Sequence, residues 1–565
     1  MATILLYWVA VRESAPTDIK SAEEFRMRFL ILVLSFTAIF GIEKAFASFP
    51  VYDEKTQSLN LKRYSLFTSY AEAMGDESDA DAGISEAGRV ERNMRLYEKK
   101  LSEFFMQSQA DTILDAAVDV DPPQSSPIKT RNFLEQNLSK TLMPLSFEAP
   151  KGYWSSFDEP LDTINRVIER TLVSHGLNIY DGALWQMALT LVPSDASAAL
   201  VDRHTQRLLS GEAGDINNLR GSGGAFSYGG SYYDRDTAFF FRMITDSYIQ
   251  DDPLGQNEIE GFPNFRRVHH EDWKPITGEQ AWAAIIGPLQ SAYKKRGAID
   301  QDAPEVKLAL SILDALESMQ SPVGALYHAP QGTFGIHPKL ISVENNLSVY
   351  AALGMLEQVL KDEKDPQYLR IKSMKDKIEK FLKEYAYDRQ AHEFYASGFY
   401  LEDRFVPGKL YATDCQTWAV LALGPAWIDR EFGEGESYAL WTNLIAKSAR
   451  VDASGRPEGI GYTAEKAVVS VEWTCGAILA GKEIASFYRP ISPERADAIE
   501  KQTRSMRQGI EKYKTQISPD SEAYWYSSQR YFVPFGWWAN PIPSLASSAW
   551  VIFVDLGFNP LILGG

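Results

Sequence analysis

Cysteine and histidine are scarce in this chain. Only Cys415 and Cys475 occur in 565 residues, and the seven histidines are scattered with no paired-histidine helix motif. A bound metal needs such ligands at short fixed spacings, so neither a metal nor any other cofactor is expected. The one cluster, His269-His270-Glu271-Asp272, reads as a surface loop. The acidic stretch from Gly75 to Gly83 has no acid where a twelve-residue calcium loop would close, and reads as a solvated linker. No basic tract interleaves with aromatics, and the formal net charge is −18. Phosphate neutralisation requires clustered Lys and Arg, so nucleic acid is not a partner. No Gly-x-Ser-x-Gly elbow marks a serine nucleophile. The glycine-rich segment 221–230 lacks the Gly-Lys-Ser/Thr ending of a phosphate loop, and Phe226 stands at the third glycine of a dinucleotide fingerprint. It reads as a rim loop. Behind it stands Tyr232-Tyr233-Asp234-Arg235-Asp236, where Asp236 is a secondary catalytic candidate and Arg235 can pair with a neighbouring acid.

Long apolar runs are also missing, with one short exception. Arg26-Met27-Arg28 precedes an apolar run from Phe29 to Ile42, then Ala45-Phe46-Ala47. A run of about 14 residues is short for a bilayer and has the form of a secretory signal peptide. Cleavage is expected after Ala47 and the natural start at Met27, with residues 1–26 upstream of it. The expected product is exported, periplasmic or secreted, with no stable membrane span. The two cysteines read as small buried side chains on neighbouring helices, although an oxidising compartment would permit pairing.

What is abundant is aromatic: 13 Trp, 27 Tyr and 29 Phe. Residues 48–145 form an N-terminal extension with an amphipathic helix over about 90–117, ended by the proline-rich run 121–127. From 146 to 565 the pattern alternates two kinds of helix. One is apolar nearly all round, as in 344–360 and 414–423; the other is striped with charge, as in 368–382. The first kind is buried and the second lies outside. Helices are expected over about 158–174, 180–193, 196–210, 235–250, 278–295, 303–319, 343–361, 366–386, 414–428, 432–450, 465–487, 492–514 and 544–556. Six hairpins of that alternation make an all-α (α/α)6 toroid, with an open helical solenoid as the alternative.

A short acidic-aromatic phrase recurs at the apolar helix starts: Tyr180-Asp181-Gly-Ala-Leu-Trp185, Gly278-Glu279-Gln280-Ala-Trp282, Val343-Glu344-Asn345-Asn346, Asp414-Cys-Gln416-Thr-Trp418 and Glu472-Trp473. In a ring of parallel inner helices these starts share one rim, so their acids converge. Two carboxylates on one glycosidic bond supply an acid and a base or nucleophile. Glu344 is the expected general acid, Asp181 or Asp414 the base, and Glu279 and Glu472 hydroxyl ligands. Helix capping or ion pairing is the bland reading of any single acid. Expected substrate contacts are Tyr180, Trp185, Gln280, Trp282, Asn345, Asn346, Gln416, Trp418 and Trp473, each indole having core packing as its alternative. The aromatic, three-proline segment 524–543 cannot be helical throughout. It is expected to enter the funnel as a loop, with Trp537, Trp538 and Asn540 as contacts.

The phrases at 180–184, 342–353 and 413–418 resemble the six-hairpin glycosidase superfamily over about residues 150–560. That resemblance implies the toroid and a carbohydrate substrate, and transfers no catalytic role to a particular position. The leading expectation is a glycoside hydrolase acting by single displacement on an oligo- or polysaccharide. A non-catalytic glycan-binding or envelope-assembly protein is the alternative, and a polysaccharide lyase, leaning on Tyr, His or Arg, is a third.

Overall fold

The computed structural model describes residues 52–53, 58–59 and 126–565, excepting 154–168, 222–238, 245–274 and some shorter segments. The export segment, the acidic stretch 75–83, the helix expected over 90–117 and most of that over 158–174 lie outside the described residues. So do the glycine-rich segment from 222, Asp236 and the His269–Asp272 cluster. The chain divides into two compact units, Met1–Asp115 with Thr333–Pro338, and Ala116–Gly332 with Lys339–Gly565. Of the first, one antiparallel pairing is described upstream, Tyr52–Asp53 with Ser58–Leu59. The helices belong to the second.

In chain order these are α1 (Pro127–Gln136), α2 (Ile179–Leu191), α3 (Ser197–Ser210), α4 (Thr277–Ala281), α5 (Gly287–Arg296), α6 (Pro304–Leu310), α7 (Leu313–Ser318) and α8 (Val343–Leu360). They continue with α9 (Pro366–Glu384), α10 (Thr413–Leu423), α11 (Pro425–Phe432), α12 (Glu436–Ser448), α13 (Val471–Tyr488), α14 (Pro493–Ile510) and α15 (Leu545–Leu556). Six inner members, α2, α4–α5, α8, α10, α13 and α15, pack each on the next, and α15 packs back on α2. The ring is therefore closed, which excludes the open solenoid. Each inner helix has an outer partner: α3, α6, α9, α12 and α14 in turn, and α1 for α15. The sixth hairpin thus joins the two ends of the unit, with α1 preceding the ring in sequence and α15 completing it.

Burial follows the two helix types. In α2 everything from Asp181 to Leu189 is buried, whereas α9 buries only the stripe Ile371, Met374, Ile378, Phe381 and Leu382. That spacing of three and four keeps one face inward. α4 and α5 are joined through a wide π turn, Trp282–Ile286, all of it buried. Pro288 cannot donate to the carbonyl four residues back and its ring crowds that carbonyl; widening the helix just before it relieves both.

Four expected helices come out differently. Residues 239–240 and 243–244, inside the helix expected over 235–250, are short strands paired with Arg220–Gly221 and Leu177–Asn178. The helix expected over 414–428 breaks at Gly424, whose φ of 84° is left-handed and which is followed by Pro425. The one over 303–319 is interrupted between α6 and α7. α13 starts at Val471, because the preceding residue, Ser470, bridges to Ile460 and Ser527 as extended chain. The aromatic segment forms strands of two small sheets rather than a loop. Ser521–Trp525 pairs with Lys514–Ser518 and Pro543–Ser544, and Tyr531–Val533 forms a hairpin with Trp537–Ala539 in the register Phe532 to Trp538. Among the described residues no helix is long and apolar enough to cross a membrane.

Candidate active site

The inner helices share one numbered plan at their starts. The second residue is Glu344 in α8, Asp414 in α10 and Glu472 in α13; the third is Asp181 in α2 and Glu279 in α4. Capping is done by other groups. Asn178 Oδ1 accepts from the Tyr180 amide at 2.9 Å, and Ser342 and Ser470 hydroxyls accept from the amides of Asn345 and Trp473 at 3.3 and 3.2 Å. In these three helices the carboxylates are therefore not the caps; in α10 the free first-turn amide of Cys415 is taken by Asp414 itself at 2.8 Å.

The fourth residue is a clamp. Gln280 takes the Phe240 N–H and gives its own N–H to the Phe240 carbonyl, both at 2.8 Å. Asn346 treats Leu326 the same way at 2.7 and 3.0 Å, and Gln416 treats Phe394 so at 2.7 and 2.8 Å. Thr474 and Ser548, fourth in α13 and α15, accept the amides of Ile460 and Tyr524 at 2.9 and 3.0 Å. Five inner helices thus pin an extended segment by the same register. Gln280, Asn346 and Gln416 are consequently not substrate ligands. The reason is geometric: the fourth residue of a helix stands about 200° from both the second and the sixth, so where those face the axis the fourth side chain is sent away from it.

The sixth residue, one turn below a second-position acid, returns to the acid's face. It is Trp282, Trp418 and Trp550 in α4–α5, α10 and α15, and Ser348 in α8. These rings meet Tyr180 in a floor. Tyr180 lies edge-on to Trp282 at 5.0 Å; Trp418 is 5.2 Å from Trp282, 6.1 Å from Tyr180 and 6.4 Å from Trp550. All three indoles are buried, so Trp282 and Trp418 close the bottom of the site instead of offering open platforms. Trp550 and Ser348 were not anticipated; counting six from the helix start finds both.

Over this floor the acids perturb one another. Glu344 is held well above the usual carboxylate range by burial, then by the charge of Asp414, with Glu279 and Glu472 adding and a hydrogen bond from Ser348 opposing. Asp181 is pushed up to about 7 by burial, against a hydrogen bond from Ser146 and with help from Glu279. Asp414 reaches about 7 through burial, opposed by the Cys415 amide on its Oδ1 at 2.8 Å. Glu472 is pushed up to about 8 by burial, opposed by Tyr180, with Asp181 and Asp414 adding. Glu279 differs from these four: Arg242 Nη2 stands 3.1 Å from its Oε1, and the Asn178 side chain donates to it through Nδ2 at 3.3 Å. Among the described residues no Lys or Arg forms a salt bridge with the other four, and no group of three or more His, Cys, Asp or Glu is arranged to hold a metal.

The remaining expected contacts scatter. Trp185 points out of the ring: fully buried, it donates to the Leu134 carbonyl of α1 at 2.8 Å and packs on His204. As the seventh residue of α2 it stands about 140° round the helix from Tyr180, which meets the floor from the second position. Asn345 is buried with its amide 2.8 Å from His328 Nδ1, where Gly278 lets α4 and α8 approach; a Cβ there would lie 2.4 Å from Asn345 Oδ1. Trp473 packs in a separate aromatic cluster with Tyr462 and Phe535. Asn540 is buried in a charged network, bonded to Glu169, Arg530 and Tyr153, so it is not a ligand contact. Trp537 and Trp538 are half-buried on the rim hairpin, Trp538 with the Arg530 guanidinium 3.9 Å above its ring. The hairpin reaches the acids through Tyr526, whose phenol is pushed up by burial, Tyr462, Glu472 and Asp181. Cys415 and Cys475 are buried free thiols. A cleft of about 390 Å³ at the opposite ends of α8 and α10, among Tyr350, Glu357, Tyr368, Lys375 and Leu561–Leu563, does not reach the acids.

No protein-family model matches the sequence, and no curated protein matches it. Several solved structures are similar in fold. A D-mannose isomerase overlaps 76% of this chain and 95% of its own at 10% identity, with a TM-score of 0.46. A sugar epimerase from a ruminal bacterium overlaps 81% and 99% at 11% identity and 0.45. The unsaturated glucuronyl hydrolase of Bacillus sp. GL1 overlaps 67% and 85% at 12% identity and 0.40. The closed ring of six helical hairpins described above is an (α/α)6 toroid, the fold that the recurring helix-start phrases imply through their resemblance to the six-hairpin glycosidase superfamily.

Proposed function

We propose that this chain is an exported carbohydrate-active enzyme that hydrolyses a glycosidic bond of an oligo- or polysaccharide with paired carboxylates. One observation carries the reading. Asp181, Glu344, Asp414 and Glu472, each the second or third residue of an inner helix, act on one another over an aromatic floor, with no salt-bridged cation among the described residues. Burying carboxylates without cations is costly for folding, and here none of them clamps a strand and only Asp414 accepts a first-turn amide of its helix. Clustered acids with raised and unequal pKa values suit a group that must hold a proton beside one that must lose it. Glu344 is the proton donor to the leaving oxygen, since a neighbouring charge adds to burial in keeping it neutral. The half-buried rings of Trp537 and Trp538 at the rim offer faces for sugar stacking. The segment from Arg26 to Ala47 supports export.

The test is reducing-end release from a panel of glycans by the wild type and Glu344→Gln. Hydrolysis that falls steeply in the variant while glycan binding persists supports the reading. Binding with no release from any glycan by the wild type replaces it with a binding protein, and new ultraviolet absorbance from an unsaturated product replaces it with a lyase.

A further inference from the structure

Two of the five acids are held by the same device. Trp282 Nε1–H donates to Ser348 Oγ at 3.0 Å, and Ser348 donates to Glu344 Oε1 at 3.0 Å. Trp550 Nε1–H donates to the Tyr180 oxygen at 2.8 Å, and Tyr180 donates to Glu472 Oε1 at 2.7 Å. An indole N–H only donates, and a hydroxyl has one proton. Each relay therefore runs one way, from ring to hydroxyl to carboxylate, and the oxygen at its end is an acceptor.

Both relays start in the same body. Trp282, Tyr180, Trp418 and Trp550 form the packed floor, so the two carboxylates at the relay ends are fixed relative to each other through one rigid cluster. The other acids are anchored elsewhere. Asp414 is tied to its own helix through the Cys415 amide. Glu279 is tied to Arg242 and Asn178. Asp181 is bonded by Ser146, whose oxygen takes the Asn178 amide at 2.8 Å. Chemistry by two carboxylates demands that their mutual geometry hold to about 0.5 Å, which a shared floor provides and separate anchors do not.

We propose that Glu344 and Glu472 are the reacting pair, in place of Asp181 or Asp414 as partner to Glu344, and that Ser348 and Tyr180 are their positioning residues. This rests on the glycosidic-cleavage reading. Glu344 gives its proton to the leaving glycosidic oxygen as the bond to the anomeric carbon breaks. Glu472 takes a proton from the water whose oxygen joins that carbon, so one water is added across the bond. Burial and the charge of Asp414, with smaller contributions from Glu279 and Glu472, keep Glu344 protonated, which suits it to the acid role and leaves Glu472, at the end of the other relay, the base. Facing Glu472 are Tyr180 and Asp181 from α2, Asp414 from α10, Glu344 from α8, and Tyr462 and Tyr526 from the rim. Facing Glu344 are Asp414 and Cys415 from α10, Glu279 from α4 and Glu472.

The experiment uses the full chain carrying Tyr180→Phe, Ser348→Ala, Ser348→Thr, Glu472→Gln, Asp181→Asn or Asp414→Asn. A lost hydrogen bond to a charged acceptor corresponds to about one to two pH units. Tyr180→Phe should move the acidic limb of the rate profile up by that amount and lower kcat at neutral pH by about ten- to a hundredfold, with KM little changed. Ser348→Ala should move the alkaline limb up, and Ser348→Thr, which keeps the hydroxyl, should return it. Glu472→Gln should cost at least tenfold more activity than Asp181→Asn or Asp414→Asn. An equal or larger loss in either Asn variant overturns the pairing, and limbs that stay in place overturn the positioning roles. Infrared titration of the protonated carboxyl band absent from Glu472→Gln gives a readout without substrate. If Tyr180→Phe carries that band to higher pH but no glycan is cleaved, the hold of Tyr180 on Glu472 stands and the cleavage reading falls; an unmoved band overturns the hold itself.

Discussion

Buried carboxylates occur in two regions of this ring, and they behave in opposite ways. Behind α13 and α15, Glu511 receives Arg507, Lys514 at 2.8 Å and the Tyr524 phenol at 2.7 Å. Burial pushes Glu511 up, but these partners outweigh it and its carboxyl lies below the usual range. At the rim, Asp181, Asp414 and Glu472 have, among the described residues, hydroxyl or amide donors only, and burial wins, at about 7, 7 and 8. An acid that holds a fold together is supplied with cations. Acids that keep their protons near neutrality weaken the fold, and their clustering at the starts of the inner helices is what the proposed function accounts for.

The sharpest way to break this contrast is to neutralise acids in both regions and measure activity. Glu344→Gln is expected to lower kcat by about a thousandfold or more, and Glu511→Gln to leave the catalytic rate of the folded fraction within a few fold. Loss of activity in Glu511→Gln alone would end the distinction. Next in size is the clamp. Gln416→Ala leaves the buried amide and carbonyl of Phe394 without their side-chain partner, and should cost about 2–4 kcal/mol of stability by denaturant unfolding. Gln280 and Asn346 should behave alike, since all three do the same work.

The third comparison is one of sign. Glu511 has a depressed folded-state pKa, so its stabilisation is present above its unfolded value of about 4.3 and fades as pH falls through the folded one. Glu511→Gln should therefore destabilise at pH 7, by about 1–3 kcal/mol, and do so less at low pH. Glu472 is raised, so the folded state retains a proton that the unfolded chain has released, and stability falls as pH climbs from about 4 towards about 8. Glu472→Gln should flatten that decline and raise Tm at pH 8 relative to wild type; a lower Tm there would show that the rim acid is structural after all. The smallest effect is expected at Trp185. Trp185→Phe loses the bond to Leu134 and should cost about 1 kcal/mol while substrate affinity is unchanged, because that indole lies between α2 and α1.

Much of the ring was legible in the chain. The difference between the all-round apolar pattern of 344–360 and the striped 368–382 separated inner from outer helices, because a face without polar residues has to be covered. The break at Gly424-Pro425 was readable in principle, from a left-handed glycine followed by a residue that favours a helix start. The strands at 239–240 and 243–244 were not, because what holds them extended is a side chain of Gln280, some forty residues on. The outer partner of α15 was hidden too: α1 lies more than four hundred residues upstream, and the extension to which residues 127–136 were given contains half of the sixth hairpin.

The candidate site shows the same division residue by residue. The acids at 181, 279, 344, 414 and 472 and the indoles at 282 and 418 followed from repetition. Gln280, Asn346 and Gln416 repeat just as faithfully and were misread, since repetition reports a shared register and not the direction a side chain takes. The rotation of about 100° per residue supplies that direction once the first helical residue is known. The sequence by itself determined an all-α chain of alternating buried and striped helices whose starts carry acids, because hydrophobic pattern and helix-start chemistry are local. Only the closed ring decided which acids have no cation beside them among the described residues, which amides clamp a strand and which hydroxyls reach Glu344 and Glu472. Those outcomes depend on desolvation and on hydrogen bonds between helices far apart in the chain, and no local pattern encodes either.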